Sequence, residues 1–305
     1  MKQLSRPFAL VALLLLAGCS GSVPPKAGLQ PPASADLGST PVGCVGDQAK
    51  ASQPRSVAIV PQLPPAELYS RWRPLLQQLG VRAGICFDPV VPTTIPVFEK
   101  QLEKGSYAYA FLNPYHQLMV QQRYQPLVRD GKALLKGILV VRDDSDIIEL
   151  AQLANRAIAF PSPNAFAASL LIRAHLHALR IPFKPDYLKT HSNVYRAVAI
   201  QQVAAGGGVN NTLAREPREL RSVLRVLYTT PGYPAHPFSA RRDLPPAETD
   251  RLIQAWLTLG RDPTAAPLLH AVQMPKPVES NQLRDYQPLE ALQLQRLVDA
   301  TDPSG

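Results

Sequence analysis

Two rhythms of apolar residues alternate along this chain. Short apolar runs close on proline or a polar turn, and between them apolar residues recur every three to four positions. Ser56-Val-Ala-Ile-Val60 ends at Pro61 and predicts a buried strand. Pro64–Leu79 places Leu68, Trp72, Leu75, Leu76 and Leu79 on one face and predicts a helix, with Gly80 as its stop. Gly84–Val91 predicts the next strand. Thr93 or Thr94 can cap a helix that carries Ile95, Phe98 and Leu102 and ends at Gly105. Tyr107–Leu112 is a third strand, turning at Asn113-Pro114. Strand, helix, strand, helix, strand is the order of a parallel sheet covered on both faces, so the fold class is α/β.

The second half repeats the rhythm. Ala133–Val141 is a long apolar run that ends at Arg142-Asp143-Asp144 and reads as the crossing into a second lobe. Arg156–Phe160 predicts a strand that breaks on Pro161 and Pro163. A helix follows, with Phe166, Leu170, Ala174 and Ala178 at helical spacing, Leu171 widening the face, and Asn164 at the N-cap. Beyond it come an extended piece at Tyr187–His191, a helix over Ser192–Ala204 and the run Gly206-Gly-Gly-Val-Asn-Asn211. Val223–Tyr228 and Pro237–Arg241 predict strands, and Ala247–Leu259 and Leu289–Ala300 predict closing helices. Residues 55–134 with 240–305 are expected to form one lobe, and 135–239 the other.

The N-terminal pattern differs. Lys2 and Arg6 precede an apolar run from Phe8 to Ala17, too short to span a bilayer. Leu16-Ala17-Gly18-Cys19 resembles a bacterial lipobox. Residues 1–18 are therefore expected to be a signal peptide, with Cys19 lipidated and holding the protein to a membrane from the periplasm. Ser20 after the cysteine favours outer-membrane sorting. Residues 19–54, rich in Pro, Gly, Ser and Ala, read as a flexible tether. Cys44 and Cys86 remain, in an oxidising compartment. They are expected to form a disulfide; the alternative is two unpaired thiols.

Composition narrows the function. With 46% hydrophobic and 18% charged residues, the 305-residue chain has ample core for a globular fold. The formal charge of +9 falls to +7 without Lys2 and Arg6 (9 − 2). The basic residues are scattered without aromatic interleaving, which speaks against nucleic acid. Mild basicity suits an anionic ligand. His175 and His177 are two apart on a helix and point to different faces, a poor metal pair. The Gly206–Gly208 run lacks dinucleotide or phosphate-loop spacing, and no nucleophile–base pair is visible, so neither enzyme chemistry nor a cofactor is expected.

In an open parallel sheet, ligands bind at the carboxyl ends of the strands. Those ends are Pro61-Gln62, Asn113-Pro114-Tyr115-His116, Ser162-Pro163-Asn164-Ala165, His191-Ser192-Asn193 and Asn210-Asn211. The helix start at Asn164, Ala165, Phe166 and Ala167 is expected to seat an oxyanion on unpaired N–H groups. Gln62, Asn113, Tyr115, Ser162, His191 and Asn210 are expected around it.

The order of these loops resembles the periplasmic solute-binding proteins of the phosphate, phosphite and phosphonate ABC-transporter group, the PhnD-like family. The matching features are the Trp72 helix, Phe111-Leu-Asn-Pro-Tyr115, Phe160-Pro-Ser-Pro-Asn164, His191 before its helix and Val209-Asn-Asn-Thr212. Further matches are Leu224-Arg-Val-Leu-Tyr-Thr-Thr-Pro231 and Asp243-Leu-Pro-Pro246, so that the likeness spans Val57 to Leu259. It implies a type II periplasmic-binding fold: two α/β lobes of mixed, mostly parallel sheets, a two-segment hinge and a ligand closed between the lobes. It also implies a monomer that delivers its ligand to an ABC permease; a sensor that hands its closed form to a membrane signalling protein is the alternative. Typical phosphonate binders carry a Ser-Thr-Ser-Gly run where this chain has Ala165, Phe166, Ala167 and Ala168, and aminophosphonate binders carry an acid where it has Ser192. Here the N–H groups remain without those hydroxyls, and Phe166 can line a more apolar pocket.

Overall fold

The computed structural model describes residues 43–299; the expected signal peptide and Cys19 lie outside the described residues. In the first lobe, strands β1 (Val45–Gly46), β2 (Arg55–Ile59), β3 (Cys86–Val90), β4 (Tyr109–Phe111) and β5 (Tyr124–Asp130) alternate with helices. These helices are α1 (Pro65–Ala83), α2 (Ile95–Glu103) and α3 (Pro114–Met119). The second lobe holds β6 (Gly137–Arg142), β7 (Ala157–Phe160), α4 (Leu171–Ala178), β8 (Lys184–Tyr187) and α5 (His191–Ala199). It continues with β9 (Ala205–Val209), α6 (Asn210–Leu213), α7 (Arg218–Arg221) and β10 (Leu224–Thr229). The chain then returns to the first lobe through β11 (Pro237–Arg241), α8 (Pro246–Arg261), α9 (Ala266–Ala271), β12 (Pro277–Glu279) and α10 (Gln295–Asp299).

The first sheet has the order β1-β3-β2-β4-β11-β5-β12, and the second β10-β6-β9-β7-β8. β2 runs parallel to β3 and β4, and β7 parallel to β8 and β9, while β11 lies antiparallel between β4 and β5. The return crossing therefore precedes Pro237 rather than falling at 239–240, because β11 is a strand of the first sheet. The two crossing segments pair with each other. Leu135 N–H donates to Tyr233 O at 2.8 Å and Tyr233 N–H to Leu135 O at 3.0 Å, a two-strand hinge.

The first lobe is filled by aromatic side chains. Trp72 on α1 sits 4.8 Å from Phe111, 6.2 Å from Phe238 and 6.4 Å from Trp256, ring centre to ring centre. These rings join the buried Leu68, Leu75, Leu76 and Leu79 stripe of α1 to the sheet and to α8. Such contacts hold aromatic groups beyond their area burial alone.

Order begins earlier than Arg55. Val45 is buried, β1 pairs with β3, and Cys44 is joined to Cys86 by a disulfide, so 43–54 belongs to the first lobe rather than to a tether. The same packing corrects Gly80. It lies inside α1, which continues to Ala83 and is capped by the left-handed Gly84. A Cβ at Gly80 would stand 2.5 Å from Ile85 O and 2.7 Å from Gly46 Cα, so glycine here admits β1 against the helix.

Glycines play the corresponding part in the second lobe. The Gly206-Gly-Gly run is the buried central strand β9. A Cβ at Gly207 would lie 2.0 Å from Ala168 O, and one at Gly137 would lie 2.1 Å from Ala167 O. The start of the long helix thus rests its backbone directly on the sheet. Its first turn, Phe166–Leu170, is π-helical, and Ala165 O accepts from both Ser169 N–H at 2.8 Å and Leu170 N–H at 3.2 Å. The helix expected over Ser192–Ala204 is α5, capped by Thr190 and ending at Ala199, which frees Ala205 for β9. The expected helix over Leu289–Ala300 is interrupted. A 3-10 turn at Gln287–Leu292 ends at the left-handed Gln293 before α10 begins.

Candidate ligand-binding site

The carboxyl ends of β2, β4, β7 and β9 face one another across the seam between the lobes. β11 starts there too, because an antiparallel strand begins where its parallel neighbours end. The cavity they enclose is lined by Val60, Gln62, Ile95, Asn113, Ala165, Phe166, Ala167, Ala168, His191, Val209 and His236. The space open to the centre of a water-sized sphere is about 10 Å³, room for about one water.

Six residues expected from the sequence meet here: Gln62, Asn113, Ala165, Phe166, Ala167 and His191. Four do not line the cavity. Tyr115 is turned toward the C-terminal segment, where its hydroxyl donates to Gln295. Ser162 is buried beside the turn, its hydroxyl without a partner. Asn210 ties the end of β9 to the hinge, its N–H donating to Lys136 O at 3.1 Å and its Oδ1 accepting from Lys136 N–H at 3.3 Å.

Asn164 departs most from expectation. It does not cap the helix; Ala165 holds that position, without a side-chain bond. Asn164 reaches across the seam instead, its Nδ2 donating to Glu99 Oε2 at 3.1 Å. Asn113 reaches the other way. Its Nδ2 donates to Asn164 O at 3.1 Å while its Oδ1 caps α3 through His116 N–H at 2.7 Å. His116 Nε2 completes the latch, 2.8 Å from Glu99 Oε1. The Asn164 Oδ1, the atom a cap would use, is buried without a partner.

The N–H groups at the helix start remain central. Ala165 N–H is not free, since it donates to Ser162 O at 3.3 Å. The next three, on Phe166, Ala167 and Ala168, have no acceptor among the described residues. They precede a continuous helical run to Ala178, whose dipole places partial positive charge at the same end. A proline at position 165 would remove only the long bond to Ser162 O, at a residue already at φ −67°, and would leave the three unpaired N–H groups in place.

Two imidazoles face this end. His191 is held by a 3.4 Å contact from its Nδ1 to Thr212 Oγ1, and Thr212 in turn lies 2.7 Å from the Tyr195 hydroxyl. Gln62 Nε2 is 2.7 Å from His236 Nε2. Burial, reinforced by Arg215, pulls the His191 pKa down to about 3. Burial, then His116, His191 and Arg215, pull His236 down to about 3 as well. Both are therefore neutral at physiological pH, and each carries one N–H to donate. His236 and Ala168 were missing from the sequence expectation. The signal for His236 lay in its place one residue before β11, but only the antiparallel direction of that strand brings it to the cleft.

The wall thus offers backbone N–H groups, neutral imidazoles and amides against apolar Val60, Ile95, Phe166 and Val209. It can hold a small anion by donors fixed in place, with no carboxylate on the lining.

A sequence profile described as "ABC transporter, phosphonate, periplasmic substrate-binding protein" matches residues 57–286. No curated protein sequence matches the chain. Among solved structures, the chain is similar to XAC2383 from Xanthomonas citri bound to chloride ion, at 20% identity and TM-score 0.69 over 81% of this chain and 99% of that one. It is similar to a binding protein component of an ABC phosphonate transporter from Pseudomonas aeruginosa, at 17% identity and TM-score 0.71 over 83% and 90%. It is also similar to PhnD1 from Prochlorococcus marinus in complex with methylphosphonate, at 14% identity and TM-score 0.72 over 79% and 97%. The fold is the two-lobed type II periplasmic-binding fold.

Proposed function

Because the chain belongs to the periplasmic substrate-binding proteins of phosphonate ABC transporters, we propose that it captures a small anion on the N–H groups of Phe166, Ala167 and Ala168. The observation that carries this reading is the set of three unpaired donors at a helix start on the cavity wall, with neutral His191 and His236 opposite. Chloride in the Xanthomonas protein and methylphosphonate in the Prochlorococcus protein support a small anion as the ligand class. A polyatomic anion needs more than the 10 Å³ present here, and the Leu135–Tyr233 hinge lets the lobes part to admit it. The partner is an ABC permease, and Cys19 carries the lipid that holds the protein at the membrane.

The test is calorimetric titration of the mature protein with chloride, inorganic phosphate, methylphosphonate and acetate. A bound anion at 100 times its Kd raises stability by about 2.7 kcal/mol, readily seen in a melt. Ala167→Pro removes the middle donor in the first turn, where proline is tolerated, and weakens binding by about 1–3 kcal/mol. Unchanged affinity in that variant places the anion elsewhere. Cys19→Ala releases the protein from the membrane fraction; retention there removes the lipid anchor from the proposal.

A further inference from the structure

Arg215 follows α6 and carries its guanidinium into the seam beside the cavity. Its Nε is buried without an acceptor, and among the described residues no carboxylate forms an ion pair with it. With the Gln273 amide turned so that its oxygen faces Arg215, that oxygen accepts from both Nη1, at 2.7 Å, and Nη2. So turned, the Gln273 oxygen is the atom 3.3 Å from Gln62 Oε1; turning the Gln62 amide as well points its nitrogen at Gln273 and its oxygen at His236 Nε2, 2.7 Å away. Polar side chains therefore connect the guanidinium to the cavity wall without a break.

The carboxylates nearest Arg215 are engaged by other groups and none forms an ion pair with it. Arg71 and Glu67 on α1 act on it from the other lobe and pair with each other at 2.6 Å. Glu216, next along the chain, is engaged by Ser192 Oγ at 2.6 Å. Burial, followed by Arg71, lowers the Arg215 pKa to about 10, so it stays charged at neutral pH. Arg215 is half-buried, and a cation that gives up part of its hydration with no carboxylate in contact has that loss left uncompensated. A guanidinium kept at a ligand cleft without a carboxylate partner is suited to an anion that arrives from outside.

We propose that Arg215 is the charge-selecting residue of the site: it makes the cleft favour a ligand with net negative charge, acting through Gln273, Gln62 and His236 rather than by contact. The N–H groups of Phe166–Ala168 position the anion, and Arg215 decides that it must be one. This inference rests on the ligand site proposed above.

Wild type, Arg215→Met and Arg215→Lys are titrated with inorganic phosphate and with methylphosphonate, and their melts are recorded in anion-poor buffer. In the Met variant affinity falls about tenfold or more, while the Lys variant stays within about threefold of wild type. The melting midpoint of the Met variant is equal to or above that of wild type. Wild-type affinity in the Met variant overturns the proposal. So does a lowered midpoint with equal loss of binding in the Met and Lys variants, which marks a structural role. If the wild type itself binds neither anion, the ligand site fails and this inference with it, an outcome distinct from binding that ignores Arg215.

Discussion

The two lobes meet at one cavity but are built from opposite materials. The first lobe brings large rings together: Trp72, Phe111, Phe238 and Trp256 form one buried cluster behind its cleft edge. The second lobe brings Phe166, Val209 and His191 to the cavity, but it seats its helix start by backbone rather than by large rings. Gly137 and Gly207 let the Ala167 and Ala168 carbonyls rest on the sheet, and four small or apolar residues, Ala165 to Ala168, carry the helix start. Side-chain packing fixes the position of one wall, and close backbone approach fixes the other. The glycine-seated wall can present bare N–H groups because nothing projects in front of them.

Substitutions in either lobe test this contrast. The largest loss is expected from Trp72→Ala, about 3–5 kcal/mol of stability, because three aromatic partners lose their shared neighbour. Urea unfolding of the mature domain measures it. Loss of the Cys44–Cys86 disulfide, by Cys→Ser at both positions, costs about 2–4 kcal/mol in the same assay. That staple belongs to the first lobe alone, so hydrogen exchange should quicken in β1 and β3 and stay unchanged in β7 and β9.

Gly207→Ala is expected to cost less in stability, about 1–3 kcal/mol from overpacking, but more in function. The helix start must lift from the sheet, since the added Cβ would sit 2.0 Å from Ala168 O. Anion affinity should fall with it. A Gly207→Ala protein that binds as wild type would show that the seat does not position the donors.

An effect that appears only on acidification concerns the imidazoles between the walls. His191 and His236 each have a folded pKa near 3, below the ordinary value of 6.5. The unfolded chain therefore binds more protons than the folded one between pH 6.5 and 3, and stability falls as pH drops through that window. The slope is on the order of 1 kcal/mol per histidine per pH unit. Melts from pH 6.5 to 5, above the range where most carboxylates titrate, should show it, and His191→Asn with His236→Gln should flatten it.

Periodicity was enough to locate most elements. The α1 stripe, the Thr94-capped α2, and β2, β7 and β11 all lie where apolar spacing predicts them, because local burial pattern decides helix or strand. The order of loops was also enough to bring Gln62, Asn113, Ala165–Ala167 and His191 to one cavity, since parallel strands gather their carboxyl ends. What sequence order could not carry was competition across the seam. Asn164 has the residue type and place of an N-cap, yet its Nδ2 is turned to Glu99 of the other lobe and its Oδ1 caps nothing. Tyr115 sits beside Asn113, yet its hydroxyl turns to Gln295, which is 180 residues away in the chain.

Glycines show the same division. As letters, Gly206-Gly-Gly has no periodicity and predicts no strand; in the fold it is the central strand of a sheet, because only there can a helix backbone approach within van der Waals distance. The α/β order and the faces of the helices follow from apolar spacing near in the chain, and the gathered loops follow from that order, since parallel strands end on one edge. Only the assembled fold settled which donors stay unpaired, which strand direction delivers His236, and that Arg215 lies half-buried without an ion-pair partner among the described residues. Those depend on residues far apart in sequence competing for the same hydrogen-bond partners in one small dry space.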